Sequence, residues 1–389
     1  MIEASASFVP DPGQSVVVFI EAQHDGGGLA SGPGVAMGAG PGGGSGGRDA
    51  HLGIRVADPR TPAILVTDQG LTRGDGVFET MTAVPRSDSS DASRTSAPAQ
   101  AGGYRIRKEE SHLERLASSA AALELPIPAA ELWRRAARAG LEAFAETNPG
   151  ADAVVKLVAT RGPEPTPGST TERTSERTSE RTSEPMSPSG TYWVLVSPVS
   201  PAFAAARERG LKVLLLDRGF DSSVAERAPW LLLGTKSLSY AVNMAALRHA
   251  ASQGADDVIF FSSDGQILEG PTSTVLLARR VPQRGGPEQG GPQAIELVTP
   301  LRNTGILPGT TQGTIFAAAE RAGWDLGYGP LETSDLFDAD AVWLVSSVRG
   351  VAPVTHLDGE ALPQDAELTE QLHRFLAEDL EPGEHGPTS

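Results

Sequence analysis

Apolar residues along this chain follow two periods, which predict both strands and helices. Short β-branched and apolar runs in the first half predict strands at residues 15–21, 63–67, 153–160 and 191–196. Two longer stretches carry an apolar residue at every third or fourth position and charged residues on the other face, and predict helices at 110–125 and 128–147. A glycine-punctuated segment at 70–80 predicts a turn that leads into a strand or a helix.

The second half of the chain repeats this mixture. Apolar runs predict strands at 211–216, 257–262, 274–278, 295–299 and 341–346, and helices at 240–253 and 311–322. Asp264 and Gly265 predict a tight hairpin turn into residues 266–269. Because strands and helices mix without a regular βαβ alternation, the pattern indicates an α+β fold.

Three low-complexity stretches interrupt the apolar pattern, near residues 24–50, 163–190 and 281–293. They are rich in Gly, Pro, Ser or Gln, and the second contains a short polar Thr-Ser-Glu-Arg repeat at 171–184, so we expect disordered insertions and a solvated loop. Pro198 and Pro201 predict a linker at 198–202 between an N-terminal domain, 1–197, and a C-terminal domain, 203–389.

Charge and composition exclude several kinds of binding partner and several kinds of site. The 389 residues carry a formal charge of −17, which argues against binding to nucleic acid or to an anionic membrane surface. The chain has no cysteine, which excludes disulfides, thiolate catalysis and cysteine metal sites. The first residues show no secretory signal pattern and no stretch is long and apolar enough to span a membrane, so we expect a cytoplasmic protein.

The candidate chemistry centres on Lys236 and on Glu269, 33 residues later. A lysine among small and apolar residues can form a Schiff base, and a carboxylate beside a pyridine ring nitrogen keeps that nitrogen protonated. Their combination suggests pyridoxal phosphate chemistry. Taken singly, each residue is more often a solvated side chain at the end of a helix or strand.

Hydroxyl-bearing and basic residues elsewhere form a candidate anion site. Thr310 and Thr311 follow a Gly-Ile-Leu-Pro-Gly turn at the start of a predicted helix, where free N–H groups suit a phosphate; simple helix capping explains them equally well. Ser347 ends an apolar strand, and Arg115 lies on the helix at 110–125. An arginine can bind phosphate through two parallel hydrogen bonds.

Other basic residues offer weaker candidates. Arg73 and Arg161 stand beside glycines at strand ends and are candidates for receiving a substrate carboxylate. His112 has no neighbouring group of acidic or histidine residues at metal-ligand spacing, so no metal site is expected. The segment from Gly74 to Gly76 lacks the rest of a phosphate-binding loop.

In this order the motifs resemble the class IV aminotransferases, the fold-type IV pyridoxal-phosphate enzymes. The resemblance runs from Arg-Gly-Asp-Gly-Val-Phe-Glu-Thr at 73–80 to Val-Trp-Leu-Val-Ser-Ser at 342–347 and covers nearly all of the chain outside the insertions. It implies two α+β domains with pyridoxal 5′-phosphate in the cleft between them. It also implies a homodimer whose partner subunit contributes to the active site.

The resemblance assigns individual roles. Lys236 looks like the Schiff-base lysine, Tyr240 like the tyrosine that bonds the cofactor's phenolic oxygen, and Glu269 like the partner of the pyridinium nitrogen. The phosphate contacts match four further residues: Arg115, Thr310, Thr311 and Ser347. One departure affects substrate preference, because Thr274 stands where many relatives carry an asparagine.

The motifs are common to elimination and transamination, so they do not separate these reactions. The segments around Phe78 and Lys236 look closer to the lyase and D-amino-acid branch, and we expect an aminodeoxychorismate lyase of folate synthesis that forms 4-aminobenzoate and pyruvate. An aminotransferase for D-amino or branched-chain amino acids is the alternative. A third reading is an inactive binding protein with the same fold, which would not need to retain Lys236.

Overall fold

The computed structural model describes residues 15–22, 52–86, 103–165, 190–282 and 293–378. The predicted insertion at 24–50 and the repeat at 171–184 lie outside these ranges. Of the predicted insertions at 163–190 and 281–293, only the ends are described.

The N-terminal part is built on a six-stranded sheet. Its members are β1 (Val16–Ala22), β2 (Leu52–Ala57), β3 (Gly76–Pro85), β4 (Tyr104–Ile106), β5 (Ala153–Thr160) and β6 (Thr191–Pro198). The strand order is β2-β1-β6-β5-β3-β4, and each neighbouring pair is antiparallel. The short helix α1 (Gln69–Arg73) leads into β3.

Two longer helices, α2 (Glu109–Ala122) and α3 (Ala130–Thr147), contribute to the core on this sheet. Their apolar faces bury Leu116, Trp133 and Phe144 against sheet residues such as Val18 and Val194. Burying apolar side chains of this size stabilises the fold by roughly 1.5–3 kcal/mol each. The core therefore fixes α2, which carries Arg115 and His112, firmly against β3.

The C-terminal part is built on an eight-stranded mixed sheet. Its strands are β7 (Leu211–Asp217), β8 (Asp257–Phe261), β9 (Thr274–Pro282), β10 (Gln293–Pro300), β11 (Asp325–Gly329), β12 (Ala341–Ser346), β13 (Gly350–Leu357) and β14 (Glu360–Ala361). The order is β11-β10-β9-β12-β13-β7-β8, with β14 paired to β13. Strand pairs β10/β11, β13/β7 and β7/β8 are parallel.

Helices accompany this second sheet: α4 (Pro201–Arg209), α5 (Val224–Arg227), α6 (Ala241–Ser252), α7 (Thr310–Arg321), α8 (Thr333–Phe337) and α9 (Ala366–Glu378). Helices α7 and α9 share a buried cluster with β12 around Trp343, Ile315 and Phe375. Within the ranges given above, no helix is both long enough and apolar enough to cross a membrane.

The predicted mixture of helix and sheet is confirmed, and most predicted elements are present within one or two residues of their expected ends. The strand expected at 63–67 is wrong: these residues pair with no strand, and Leu65 and Val66 are 63% and 81% exposed. The apolar run there does not pack into the core, because an apolar pattern alone does not determine whether its residues are buried. Sequence analysis also missed β2, β13 and α9.

The predicted domain boundary stays a proposal. Strand β6 ends at Pro198, and α4 begins at Pro201 with Ser200 as its N-cap. Only Val199 and Ser200 lie between the two elements. This short connection is consistent with a change of sheet at this point.

Backbone hydrogen bonds join the lysine segment of the C-terminal part to β3. The N–H of Phe78 donates to the carbonyl of Lys236 at 3.0 Å, and the N–H of Leu238 donates to the carbonyl of Gly76 at 2.8 Å. A Cβ at position 76 would lie 2.5 Å from the carbonyl oxygen of Ala159, so this close approach requires glycine. The two parts of the chain therefore meet with Lys236 at their junction.

Candidate active site

Lys236 lies in a short segment between Gly234 and α6. Its N–H donates to Ser119 Oγ at 3.2 Å, and its Nζ lies 4.7 Å from the centre of the Phe78 ring. Burial at the junction of the two parts lowers the pKa of Lys236 to about 8, although the negative charges of Glu79 and Glu269 oppose this. The amine is therefore much more easily deprotonated than an exposed lysine.

Glu269 follows the strand-like residues Ile267 and Leu268, which are buried. Its Oε2 accepts a hydrogen bond from the N–H of Leu307 at 3.0 Å. Burial raises the pKa of Glu269 to about 7, while this hydrogen bond and the positive charges of Lys236 and two arginines act against the rise. A cationic N–H next to this carboxyl group would therefore strongly stabilise its ionised form.

Tyr240 stands immediately before α6. Its hydroxyl donates to the carbonyl of Pro271 at 2.6 Å, and its ring meets the Phe78 ring edge-on at 5.3 Å. Burial raises the pKa of Tyr240 to about 12, so the hydroxyl stays protonated. To donate to a phenolic oxygen of a cofactor, as expected, this proton has to turn away from Pro271.

Arg115 is held by a buried acidic partner that sequence reasoning did not identify. Its Nε and Nη2 donate to the two carboxylate oxygens of Glu79 at 2.6 and 2.8 Å, and its Nη1 donates to the carbonyl of Pro308 at 2.6 Å. Burial alone would raise the pKa of Glu79, but hydrogen bonds from Arg115 and His112 outweigh it and hold that pKa at about 2. The pair anchors the guanidinium beside the start of α7.

Three hydroxyl groups lie close together at the start of α7. Thr310 Oγ1 lies 3.2 Å from Ser347 Oγ, and Thr311 Oγ1 donates to Ser347 Oγ at 3.5 Å. The helix α7 begins at Thr310, so its first N–H groups have no acceptor within the helix. A pocket opens here, lined by these three residues and by the basic residues Arg107, Lys108 and His112.

The turn before α7 leaves no room for a side chain. A Cβ at position 309 would lie 2.4 Å from Thr274 Oγ1, so glycine is required there. Thr274 itself is 7% exposed and packs beneath this turn. Thr274, where the resemblance leads us to expect an asparagine, therefore supports the start of α7.

The structure places Arg73 and Arg161 outside this cluster. Arg73 pairs with Glu164 at 2.5 Å at an exposed position. Arg161 pairs with Asp75 at 2.6 Å and also donates to the carbonyl of Leu123. Both arginines already pair with an acidic residue, and their role in receiving a substrate carboxylate stays a prediction.

Three site residues escaped sequence analysis in different ways. Phe78 and Glu79 belong to a recognised motif, but nothing in the sequence indicated that one would lie against Lys236 and the other would bind Arg115. His112 was set aside for lack of metal-ligand spacing. Its position three residues before Arg115 places it on the same helix face, and that spacing is the signal that was available.

The cluster fits pyridoxal 5′-phosphate. Lys236 supplies an amine with a lowered pKa, Glu269 supplies a carboxyl group that an adjacent pyridinium would hold ionised, and the start of α7 supplies phosphate donors. Among the described residues, no group of three or more His, Cys, Asp or Glu has the arrangement of a metal site.

The lowered pKa of Lys236 predicts how fast the chain takes up this cofactor at different pH values. The neutral amine attacks the aldehyde, so the uptake rate should rise with pH and level off above about 8, the pKa of Lys236. With an ordinary lysine, whose pKa is 10.5, the rate would continue to rise well above pH 8. Stopped-flow absorbance on cofactor-free protein measures the rate. A continued rise to pH 10.5 would show that the lysine is not desolvated.

Comparison with known proteins places the chain in a family. Residues 76–357 match the family model described as amino-transferase class IV. The chain is 37% identical over 309 residues to a bifunctional aminodeoxychorismate lyase and D-amino acid transaminase of Mycobacterium tuberculosis, covering 79% of this chain and 91% of that protein.

Solved structures extend the likeness to the fold. A fold IV transaminase from Curtobacterium pusillum shares 36% identity at a TM-score of 0.68, covering 93% of this chain and 99% of that one. A hypothetical aminotransferase from M. tuberculosis in its pyridoxal-phosphate-bound form shares 35% identity at a TM-score of 0.67, covering 83% and 95%. The chain belongs to the class IV aminotransferase family and is a fold-type IV enzyme that depends on pyridoxal 5′-phosphate.

Proposed function

We propose that this enzyme is an aminodeoxychorismate lyase, which converts 4-amino-4-deoxychorismate to 4-aminobenzoate and pyruvate for folate synthesis. The observation that carries the proposal is the 37% identity, over most of both chains, to a relative named for this lyase activity. A shorter match to an aminodeoxychorismate lyase of Bacillus subtilis, 29% identical over 136 residues, points the same way.

In this proposal Lys236 both holds the cofactor and moves the proton. Bound cofactor withdraws electrons from the substrate carbon that carries the amino group. Lys236 Nζ takes the proton from that carbon, the neighbouring carbon–oxygen bond breaks, and the ring becomes aromatic. The enolpyruvyl group leaves and gains a proton to become pyruvate, so no amino acceptor is consumed.

Glu269, Arg115 and the hydroxyls have positioning roles in the same proposal. The carboxylate of Glu269 stabilises a protonated ring nitrogen, and its pKa of about 7 without that partner indicates how strongly the pairing is favoured. The phosphate is held at the start of α7 by Thr310, Thr311 and Ser347, beside the guanidinium of Arg115.

The position of Lys156 favours a substrate that carries negative charge. It lies on β5, and its Nζ is 4.8 Å from the centre of the same Phe78 ring that Lys236 contacts. Burial lowers its pKa, and no carboxylate pairs with it within the described residues. Aminodeoxychorismate carries two carboxylates, and we propose that Lys156 receives one of them.

Replacing Lys156 with methionine tests this assignment. We expect the KM for aminodeoxychorismate to rise about 10- to 100-fold, because a hydrogen-bonded charge pair is lost, with a much smaller change in kcat. Transamination of D-alanine, which has one carboxylate, should be affected far less. Lys212→Met changes an exposed lysine and serves as the matched control. Equal losses for both substrates would show that Lys156 does not select the acidic one.

The lyase itself is tested by product analysis. Enzyme loaded with pyridoxal phosphate is incubated with aminodeoxychorismate in the absence of any 2-oxo acid, and the products are separated chromatographically. We expect 4-aminobenzoate and pyruvate in equal amounts. If neither forms while D-amino acids are consumed with 2-oxoglutarate, the lyase proposal is wrong.

The second candidate is D-amino acid transamination. It is favoured by the double name of the M. tuberculosis relative and by a D-alanine aminotransferase of Listeria innocua that is 25% identical over 328 residues. The same lysine would serve both reactions, since in a transamination it would return the proton to the cofactor instead of a leaving group being expelled; hydrolysis would then release the oxo acid, and a 2-oxo acid would take up the amino group in a second half-reaction. Branched-chain amino acids remain a further alternative, which a substrate panel with 2-oxoglutarate resolves.

A homodimer is part of the proposal. Several large apolar side chains are exposed on the single chain, among them Leu65, Val66, Leu71 and Trp230. Single exposed apolar residues are common, but Leu65, Val66 and Leu71 lie within seven positions of one another, and burial against a second copy would cover them. Sedimentation equilibrium should therefore give the mass of two chains, and a single-chain mass would remove this part of the proposal.

A further inference from the structure

His112 connects the buried Glu79–Arg115 pair to the hydroxyl groups at the start of α7. It is 1% exposed. Its Nδ1 lies 2.7 Å from Glu79 Oε2. On the other side of the ring, its Nε2 lies 3.2 Å from Thr310 Oγ1 and 3.2 Å from Ser347 Oγ.

The partners of His112 determine which nitrogen carries the proton. Glu79 has a pKa of about 2 and is therefore an ionised carboxylate that can only accept hydrogen bonds. Nδ1 must then be the donor. Burial lowers the pKa of His112 despite the attraction of Glu79, so the ring is neutral and Nε2 presents a single lone pair.

That lone pair orients the hydroxyl cluster. Only one of the two nearby hydroxyls can donate fully to Nε2, because one lone pair accepts one good hydrogen bond. Thr310 Oγ1 and Ser347 Oγ are also 3.2 Å apart, so fixing one hydroxyl limits the directions open to the other. The main chain of Ser347 is held as well, since Thr82 Oγ1 donates to its carbonyl at 2.6 Å.

A phosphate monoester needs donors that already point toward it. Free hydroxyl rotors would have to be ordered when the anion binds, which weakens binding. The hydroxyl that donates to Nε2 uses its one hydrogen there, so the Glu79–His112 pair fixes that hydroxyl and leaves the hydrogen of the other hydroxyl for the phosphate. The Glu79–Arg115 pair keeps the guanidinium close by without adding net charge.

We propose that His112 is a positioning residue for the phosphate group of the cofactor, acting through the hydroxyls of Thr310 and Ser347. This inference rests on the proposed placement of the phosphate at the start of α7 and does not depend on whether the reaction is elimination or transamination. It assigns His112 to one end of the ligand only. Loss of His112 should therefore weaken the phosphate contacts and spare those to the ring.

The test compares two probes that differ only in the phosphate. Dissociation constants of pyridoxal phosphate and of pyridoxal are measured by fluorescence on the full chain freed of cofactor. His112→Asn keeps a donor near the position of Nδ1 but removes the acceptor at Nε2. We expect it to weaken pyridoxal phosphate about tenfold and to leave pyridoxal within about twofold.

Two further variants sharpen the comparison. His112→Gln places an amide oxygen near the position of Nε2, and we expect it to bind pyridoxal phosphate nearly as well as the unmodified chain. His249→Asn alters an exposed histidine on α6 and should change neither constant.

Equal weakening of both probes by His112→Asn would overturn the proposal, because it would show a general structural role. Unchanged binding of pyridoxal phosphate would overturn it as well. If the selective loss is seen but aminodeoxychorismate yields no 4-aminobenzoate, the role of His112 is supported and the lyase assignment alone fails.

Discussion

Replacing Lys236 with alanine is expected to reduce turnover by at least about 10⁴-fold for every substrate. The variant loses both the covalent attachment point of the cofactor and the base that moves the substrate proton, and general acid–base catalysis alone contributes up to about 10⁴-fold. The visible absorption band of the bound cofactor should shift or disappear. Initial rates with aminodeoxychorismate and with D-alanine, together with an absorption spectrum, measure both effects.

A control separates this result from damage to the fold. Lys236 has no ion pair in the part of the chain that the structure describes, and its pKa of about 8 indicates that its charge is disfavoured at this position. Alanine at 236 should therefore leave the thermal unfolding midpoint of the cofactor-free chain nearly unchanged. Lys212→Ala, at an exposed position on β7, should retain full activity. A Lys236→Ala enzyme with normal turnover would refute the proposed chemistry.

Replacing Glu79 with leucine is expected to lower the free energy of unfolding by about 3–5 kcal/mol. Glu79 is fully buried and compensates the charge of Arg115, whose side chain is only 13% exposed. Removing one member of a buried ion pair leaves an uncompensated charge, which costs about this amount. Urea denaturation of the cofactor-free chain measures the change.

Two variants serve as controls for Glu79→Leu. Glu21 pairs with Arg55, but both side chains are about half exposed, so Glu21→Leu should cost at most about 1 kcal/mol. The double variant Glu79→Leu, Arg115→Leu should recover much of the lost stability, because no buried charge remains unpaired. It should still bind pyridoxal phosphate poorly. A Glu79→Leu chain as stable as the unmodified one would show that the pair does not hold α2 to β3.

The sequence predicts the members of the candidate site because each lies in a motif whose local chemistry can be recognised. Lys236 stands among small and apolar residues, Glu269 precedes a Gly-Pro turn, and Thr310 and Thr311 open a helix. The structure brings Arg115 and Ser347 to that helix, and their contact with a phosphate stays a prediction.

The partners of these residues could not be predicted in the same way. Glu79 and Arg115 are 36 positions apart, and His112 and Ser347 are 235 apart, so their contacts depend on the packing of α2 between β3 and α7. Arg161 shows the converse: its glycine-flanked position suggested a free cation, but folding places Asp75 beside it. Pairing of charges is decided by tertiary contacts that no local pattern reports.

The same limit explains the wrong strand at 63–67. Its residues are as apolar as those of β5, but β5 has neighbours on both sides in the sheet, whereas Val66 is exposed. A run of apolar residues predicts that these residues are buried. It does not identify the surface that buries them, which need not be a sheet of the same chain.

The most direct test of the account is to locate the cofactor on the chain. The enzyme loaded with pyridoxal phosphate is reduced with borohydride, digested, and analysed by mass spectrometry. The chain has four lysines, Lys108, Lys156, Lys212 and Lys236, so the position of the label is unambiguous. We expect it on the peptide that contains Lys236. A label on any other lysine, or none at all, would contradict the site described above.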